Sequence, residues 1–240
     1  MFETVGLKEY EPYLMTHLEP WRELIKSLPV LQRPDGYSAI VVAPHPDDET
    51  LGLGGLIYDW NKGGIDVRVL IVSDGRASHQ HPQLSHIRQA EALAAADVLG
   101  VADRITFLGF PDAELANVCK EISEAIAENL PADGQRCVLL APRLHDGHSD
   151  HDACAIAAAE VAAGFPGVEH WCYGVWTWTH NPQADALVGA RRWLISTKGY
   201  EAKWKAIDMY ASQVTSILGE QIVTPQLLAS LANATEVVWC

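Results

Sequence analysis

The sequence predicts an α/β fold in which a mostly parallel sheet is covered by helices on both faces. Two observations predict it. Short β-rich runs alternate with longer helical stripes from residue 37 onward, and dense charge falls in loops that follow the runs. Such a doubly wound, Rossmann-like arrangement places its binding crevice at the carboxyl ends of the strands.

Tyr37–Ala43 is the first strand, an apolar run that reads as buried. A helix follows over Glu49–Lys62 and is halted by Gly63-Gly64; Ile65–Ser73 then returns as the second strand, completing a βαβ unit. Leu84, Ile87, Ala90, Ala94 and Val98 recur at spacings of three and four, a helical stripe that stops at Gly100. Arg104–Phe110 is the third strand, and Val118, Ile122, Ala125 and Leu130 mark the next amphipathic helix. Arg136–Ala141 is another buried strand, His151–Ala163 an alanine-rich helix closed by Gly164, and Val168–Thr177 a further strand. From about Asn181 the rhythm breaks, leaving a helix over Tyr200–Gln213 and a shorter one over Pro225–Leu231. Residues 1–36 read as a helical extension packed on one domain, 37–240, with no linker, repeat or low-complexity tract.

The 240 residues carry a formal charge of −14, which repels phosphate backbones and anionic lipid surfaces and so argues against a nucleic-acid partner. Cys119, Cys137, Cys154, Cys172 and Cys240 are odd in number and lack CxxC spacing, so neither a disulfide framework nor a thiolate zinc site is indicated. The N-terminus lacks a secretory pattern, and no apolar run approaches the roughly 20 residues needed to span a bilayer, which together predict a cytoplasmic protein. The tryptophan-rich stretch from His170 to His180 reads as aromatic core or pocket wall.

Three charged loops fall at strand ends, 44–50, 73–81 and 142–151. The first, His45-Pro46-Asp47-Asp48-Glu49, offers an imidazole and carboxylates, ligands that suit a borderline divalent ion such as zinc. Capping of a helix N-terminus accounts for one or two of these acids but not for His45 held before Pro46. The third loop brings His145, His148 and His151, with Asp150 read as the N-cap of the next helix and His145 as a surface residue. Two loops at adjacent strand ends can then converge a His, an Asp and a second His, leaving positions open for water, as in a catalytic zinc site. The tract Ser78-His79-Gln80-His81-Pro82 with His86 has no acids placed to join it and reads as the edge of the pocket mouth. A GxGxxG turn and a GxSxG elbow are both missing, which disfavours a dinucleotide module and a serine hydrolase.

His45-Pro-Asp-Asp-Glu49 with His148-Ser-Asp-His151 about a hundred residues later resembles the LmbE/PIG-L family of zinc-dependent N-acetylglucosamine deacetylases. The resemblance runs on through Ser73-Asp-Gly-Arg76, Ile87-Arg-Gln-Ala-Glu91, Phe107-Leu-Gly-Phe-Pro-Asp112 and Tyr210-Ala-Ser-Gln213. It implies that His45, Asp48 and His151 hold one zinc ion per chain and that Asp47 is the general base. It implies further that His148 stabilises the oxyanion with Asp150 tuning it, and that Arg76, Arg88 and Asp112 lie at or near the sugar site. An Arg88–Glu91 ion pair along one helix is the structural alternative for Arg88. The substrate so implied is a small N-acylated amino sugar or its glycoconjugate, acted on by a chain that self-associates. Two rivals stand beside it: an amidase acting on a larger conjugate, and a carbohydrate-binding protein that has lost catalysis.

Overall fold

In the computed structural model, which describes residues 18–131, 135–182, 185–232 and 234–240, the central strand β1 is Tyr37–Ala43. Helix α1 (Glu19–Lys26) precedes it. After it come α2 (Asp48–Lys62), β2 (Val67–Ser73), α3 (Leu84–Leu99), β3 (Ile105–Phe110), α4 (Cys119–Glu128), β4 (Arg136–Pro142), α5 (Ser149–Gly164) and β5 (Val168–Tyr173). The chain then forms β6 (Ala190–Leu194), α6 (Thr197–Ile207), α7 (Ala211–Val214), α8 (Pro225–Leu231) and β7 (Thr235–Trp239). The strands form one sheet in the order β3-β2-β1-β4-β5-β7-β6. The first five pair in parallel, while β7 is antiparallel to both β5 and β6.

The period of two along β1 explains the two-faced core. Ala39, Val41 and Ala43 join a cluster with Leu53, Trp60, Ala92 and Leu99 from α2 and α3, and Ile40 and Val42 join another with Ile122, Ala153 and Ala157 from α4 and α5. The strand order reverses between β1 and β4, so the loops that leave these two neighbours open a crevice at their carboxyl ends. Those loops are 44–47 and 143–148, the carriers of His45, Asp47 and His148.

Several expected boundaries move. The strand expected over Val168–Thr177 stops at Tyr173, and Trp176–Thr179 is a 3-10 turn. Its cause is Asp146, whose buried carboxylate accepts from the main-chain N–H groups of Val175, Trp176 and Thr177 and diverts them from the sheet. The helix expected over Tyr200–Gln213 is two, α6 and α7, broken around Tyr210, whose φ of −85° and ψ of 52° are not helical. Strands β6 and β7 were not expected. Of the N-terminal extension, residues 1–17 lie outside the described residues. Trp21, Ile25 and Leu31 are buried in the main core, and residues 29–31 run beside β6 through Leu31 N–H donating to Arg192 O (2.7 Å) and Arg192 N–H donating to Pro29 O (3.0 Å). Among the described residues, no helix is long and apolar enough to cross a membrane. The described cysteines are all free thiols.

Candidate active site

Strand β1 delivers His45 and Asp48 to the crevice within one turn. The His45 N–H donates to Asp48 Oδ2 at 2.9 Å, and the same oxygen lies 3.1 Å from His45 Nδ1. From the other loop His151, fully buried on α5, brings Nε2 to 3.2 Å from Asp48 Oδ2 without making a hydrogen bond to any group. Ligand atoms of His45, Asp48 and His151 thus lie within 4.8 Å of one another.

Each imidazole is held from behind. His151 Nδ1 meets Asp146 Oδ2 at 2.8 Å, and His45 Nε2 meets both Asp112 Oδ1 and Asp150 Oδ2 at 3.2 Å. Carboxylates on the far nitrogen fix the tautomer and orientation of a metal-binding histidine, so in the neutral rings that bind a metal the lone pairs of His45 Nδ1 and His151 Nε2 face Asp48. Four buried carboxylates, Asp48, Asp112, Asp146 and Asp150, surround these two imidazoles. A dication fits that excess of negative charge and the orphaned His151 nitrogen. A second grouping, His45 with His148 and Asp150, also has ligand atoms close together. It is the poorer site, because His148 Nδ1 accepts from the Asp150 N–H and the Asp150 carboxylate accepts from the Ala113 and Leu115 N–H groups.

Titration in the metal-free protein follows from the same contacts. Burial works against charge on His45, but the hydrogen bonds it donates to Asp112, Asp150 and Asp48 outweigh it and hold its pKa well above the usual histidine value. His151 is likewise raised, to about 9, with Asp48 and Asp146 overcoming burial. Burial would raise Asp48, yet the facing His151 and His45 hold it well below the carboxylate range. These are carboxylates and imidazoles that gather positive charge between them.

Asp47 stands apart from this set. Its backbone has φ 138° and ψ −28°, a conformation that side chains rarely adopt and that costs roughly 1–3 kcal/mol. Burial pushes its carboxyl up to about 7, against the pull of Arg88, whose Nη2 lies 3.1 Å from Asp47 Oδ2. Arg88 is itself buried and donates to the carbonyls of Pro46 (2.8 Å) and Gly75 (3.2 Å). Its partner is therefore Asp47 and not Glu91, whose carboxylate accepts from the N–H and hydroxyl of Ser212.

His148, not Asp150, is the N-cap of α5. Because its Nδ1 accepts from the Asp150 N–H at 3.1 Å, the proton of the neutral ring sits on Nε2. Burial and the nearby charges of His45 and His151 lower the pKa of His148 and keep it neutral. The carboxylate of Asp150 turns instead toward His45.

A cavity of about 290 Å³ opens on these groups. His45, Asp47, Asp48, Arg88, Asp112 and His148 line it, with Leu51, Trp176 and Val223 as apolar wall. Arg76 is not among its lining residues; its side chain is 68% exposed, with the guanidinium bound to Asp74. It lies with His79, His81 and His86 on an open groove that shares Ala77 with the cavity. His145 is exposed. Of the tryptophan-rich stretch only Trp176 reaches the cavity, while Trp171 and Trp178 are buried against Trp60 and Trp21.

Sequence reasoning missed two contributors. Asp146 is fully buried and joins His151 to the 175–177 turn; its one local signal is an acid before Gly147, a glycine with φ 104°. Glu49 is the other, one of the acids that capping of a helix N-terminus would cover. It is buried, and its carboxylate accepts from the Asp47 N–H, Thr50 and Tyr210.

The sequence pattern of the family described as GlcNAc-PI de-N-acetylase (PIG-L) matches residues 40–162. The diacetylchitobiose deacetylase of Thermococcus kodakarensis is 32% identical over 145 residues, 55% of this chain and 52% of that protein. This chain therefore spans about half the length of that relative. A probable N-acetyl-alpha-D-glucosaminyl L-malate deacetylase 2 of Bacillus anthracis is 25% identical over 198 residues, 75% of this chain and 83% of that protein. Among solved structures, the N,N'-diacetylchitobiose deacetylase from Pyrococcus horikoshii, complexed with its inhibitor MPG, matches with a TM-score of 0.59 at 24% identity. The match covers 89% of this chain and 82% of that one and is a likeness of fold.

Proposed function

The chain belongs to the GlcNAc-PI de-N-acetylase (PIG-L) family, and from that premise we propose that it is a zinc-dependent hydrolase that removes the acetyl group from an N-acetylglucosamine-type amino sugar or its conjugate. One observation carries the reading: His45 and Asp48, on the wall of a cavity, converge with His151 buried behind them, and the same cavity is lined by a carboxylate, Asp47, and a neutral N–H donor, His148. Names of the relatives supply the substrate class, since one is named as a deacetylase of diacetylchitobiose and the other as a probable deacetylase of N-acetyl-alpha-D-glucosaminyl L-malate.

His45, Asp48 and His151 would hold the ion. A zinc ion so held acts as a Lewis acid, polarising a carbonyl oxygen and lowering the pKa of water to roughly 7. Asp47 takes the proton from the attacking water and passes it to the leaving amine; Arg88, on Asp47 Oδ2, fixes the direction in which that carboxylate points. His148 donates its Nε2–H to the oxyanion of the tetrahedral intermediate, and its ring is already locked for this by the N-cap bond. Asp112, on the cavity wall beside His45, is placed for sugar hydroxyls. Its Oδ2 accepts from the Ala77 N–H at 2.8 Å, and its pKa is lowered to about 2, with the His45 hydrogen bond outweighing burial. The open groove carrying Arg76 leaves room for an aglycone.

The test is amine release from a panel of N-acetylglucosaminides by the zinc-loaded protein, with larger N-acyl conjugates as a second arm. Acetate release from the former is the expected result. Turnover confined to the larger conjugates would make it an amidase. Sugar binding with no turnover, in protein that carries stoichiometric zinc, would make it a non-catalytic binder.

A further inference from the structure

The mechanism leaves one costly feature unused, a third buried carboxylate beside Asp47 and Asp48. Glu49 is 3% exposed, and burial pushes its carboxyl up. If the start of α2 needed only an acid near its N-H groups, Asp48 already supplies one. The contacts of Glu49 point elsewhere. Oε2 accepts from the Asp47 N–H at 3.2 Å, and Oε1 accepts from Thr50 Oγ1 at 2.6 Å and from the Tyr210 hydroxyl.

Asp47 is the residue whose backbone is strained, and strain of that kind persists only where surrounding contacts over-determine it. Three contacts do so. The Asp47 carbonyl accepts from the Thr50 and Leu51 N–H groups at 3.0 and 2.8 Å, Arg88 grips the preceding Pro46 carbonyl, and Glu49 takes the Asp47 N–H. Without Glu49 that N–H is one of the free donors of a helix N-terminus and nothing else in its turn would hold it. Tyr210 is fully buried, and among the described residues its hydroxyl bonds Glu49 and, at 3.3 Å, Thr50. Its own place is set by α7, whose first turn it caps by accepting from Gln213 and Val214 N–H at 2.9 and 3.0 Å. A chain of contacts thus runs from the carboxy-terminal region to the peptide of the base, across 161 residues of sequence.

We propose that Glu49 and Tyr210 are positioning residues for Asp47: the Glu49 carboxylate, oriented by the Tyr210 hydroxyl, holds the Asp47 peptide in its strained conformation and so keeps the Asp47 carboxylate on the reacting water. The inference rests on the reading of Asp47 as the base. Displacing a catalytic group by about 1 Å can cost roughly 100-fold in rate. Glu49→Ala is therefore expected to lower kcat about 100-fold and Tyr210→Phe, which removes one oxygen, about 10-fold, each with KM and bound zinc as in the wild type. Glu49→Gln, whose amide oxygen can accept from Asp47 while its nitrogen donates to Tyr210, recovers most of the loss.

These variants are assayed as zinc-loaded full chains for amine release beside the wild type and Asp47→Asn, with zinc measured by mass spectrometry. Should Glu49→Ala fail to fold, Tyr210→Phe carries the test on the same split of kcat from KM. Wild-type kcat in Tyr210→Phe, a loss shared with KM or zinc content, or a Glu49→Gln as impaired as Glu49→Ala overturns the inference while leaving an active deacetylase. A wild type as inert as Asp47→Asn instead removes the reading of the base, and the positioning role with it.

Discussion

His148 and the metal set lie a few ångströms apart, yet their substitutions should part company. The His148 ring packs against those of His45 and His151, but its Nδ1 bonds the Asp150 N–H and not a side chain of the metal set, so His148→Ala should keep zinc and lose about 100- to 1,000-fold in turnover, the usual effect of removing one oxyanion donor. His45→Ala, Asp48→Ala and His151→Ala should lose zinc as well, which metal analysis of the dialysed proteins checks. Asp146 gives a finer test. Asp146→Asn keeps the shape but supplies one acceptor oxygen where the carboxylate has two, and those two now serve His151 Nδ1, Thr177 Oγ1 (2.5 Å) and three main-chain N–H groups. Zinc affinity, measured by competition with a chromogenic chelator, should fall roughly 10- to 100-fold. A histidine before a proline and three acids announces a ligand set from sequence alone, because that charge has no local partner. Asp146 does not announce itself, since it serves a turn 29 residues on, and Asp150, though singled out in the sequence, gives no sign of its contact with His45 across 105 residues.

At the scale of elements, helix α2 is read correctly from its glycines as stops but not from its glycines as contacts. Gly52 and Gly55 lie inside the helix, and a Cβ on them would come within 2.5 Å of the Tyr173 ring and of Ile195 Cγ2 respectively. Small residues there let α2 press against β5 and the segment before α6. Gly52→Ala should gain helix propensity and still destabilise by roughly 1–3 kcal/mol through overpacking, read as a lower urea midpoint at unchanged slope. Stability equal to or above the wild type would mean that Tyr173 moves aside freely. The central strands β1 (YSAIVVA) and β4 (RCVLLAP) were legible because they are buried on both faces almost throughout. Strands β6 (ARRWL) and β7 (TEVVW) were not, since each is five residues long, carries charge in its interior and lies beyond the point where strands and helices stop alternating. In β7 that charge is Glu236, buried against Lys203 Nζ at 2.7 Å and accepting from the Gly55 and Leu56 N–H groups. Its burial depends on three partners far away in sequence, which no local pattern reports. The break between α6 and α7 was missed for the same reason, because Tyr210 leaves the helical conformation where its hydroxyl reaches Glu49.

For the whole molecule, the site is also a fault in the core that a cation mends, and stability should report it. Without metal, His151 is held at about 9 against roughly 6.5 in an unfolded chain, and His45 is raised as well. A group whose pKa is raised by folding contributes stability that is complete below the unfolded value and is lost as pH climbs through the folded value. The metal-free protein should therefore lose stability between about pH 6.5 and 9, as its carboxylates lose the imidazolium charges that face them. Zinc supplies positive charge that does not leave with a proton, and at low pH it must displace those protons to bind. The stabilisation by zinc should consequently grow across the same window. At free zinc a hundred times its dissociation constant it amounts to about 2.7 kcal/mol, which for a chain of this size raises Tm by roughly 5–10 °C. Melting curves of chelator-treated and zinc-loaded protein at pH 6.5 and 9 measure both effects. A zinc-induced shift that is constant or shrinks with rising pH would mean that His45 and His151 are not the groups the ion binds, whatever the activity of the loaded protein.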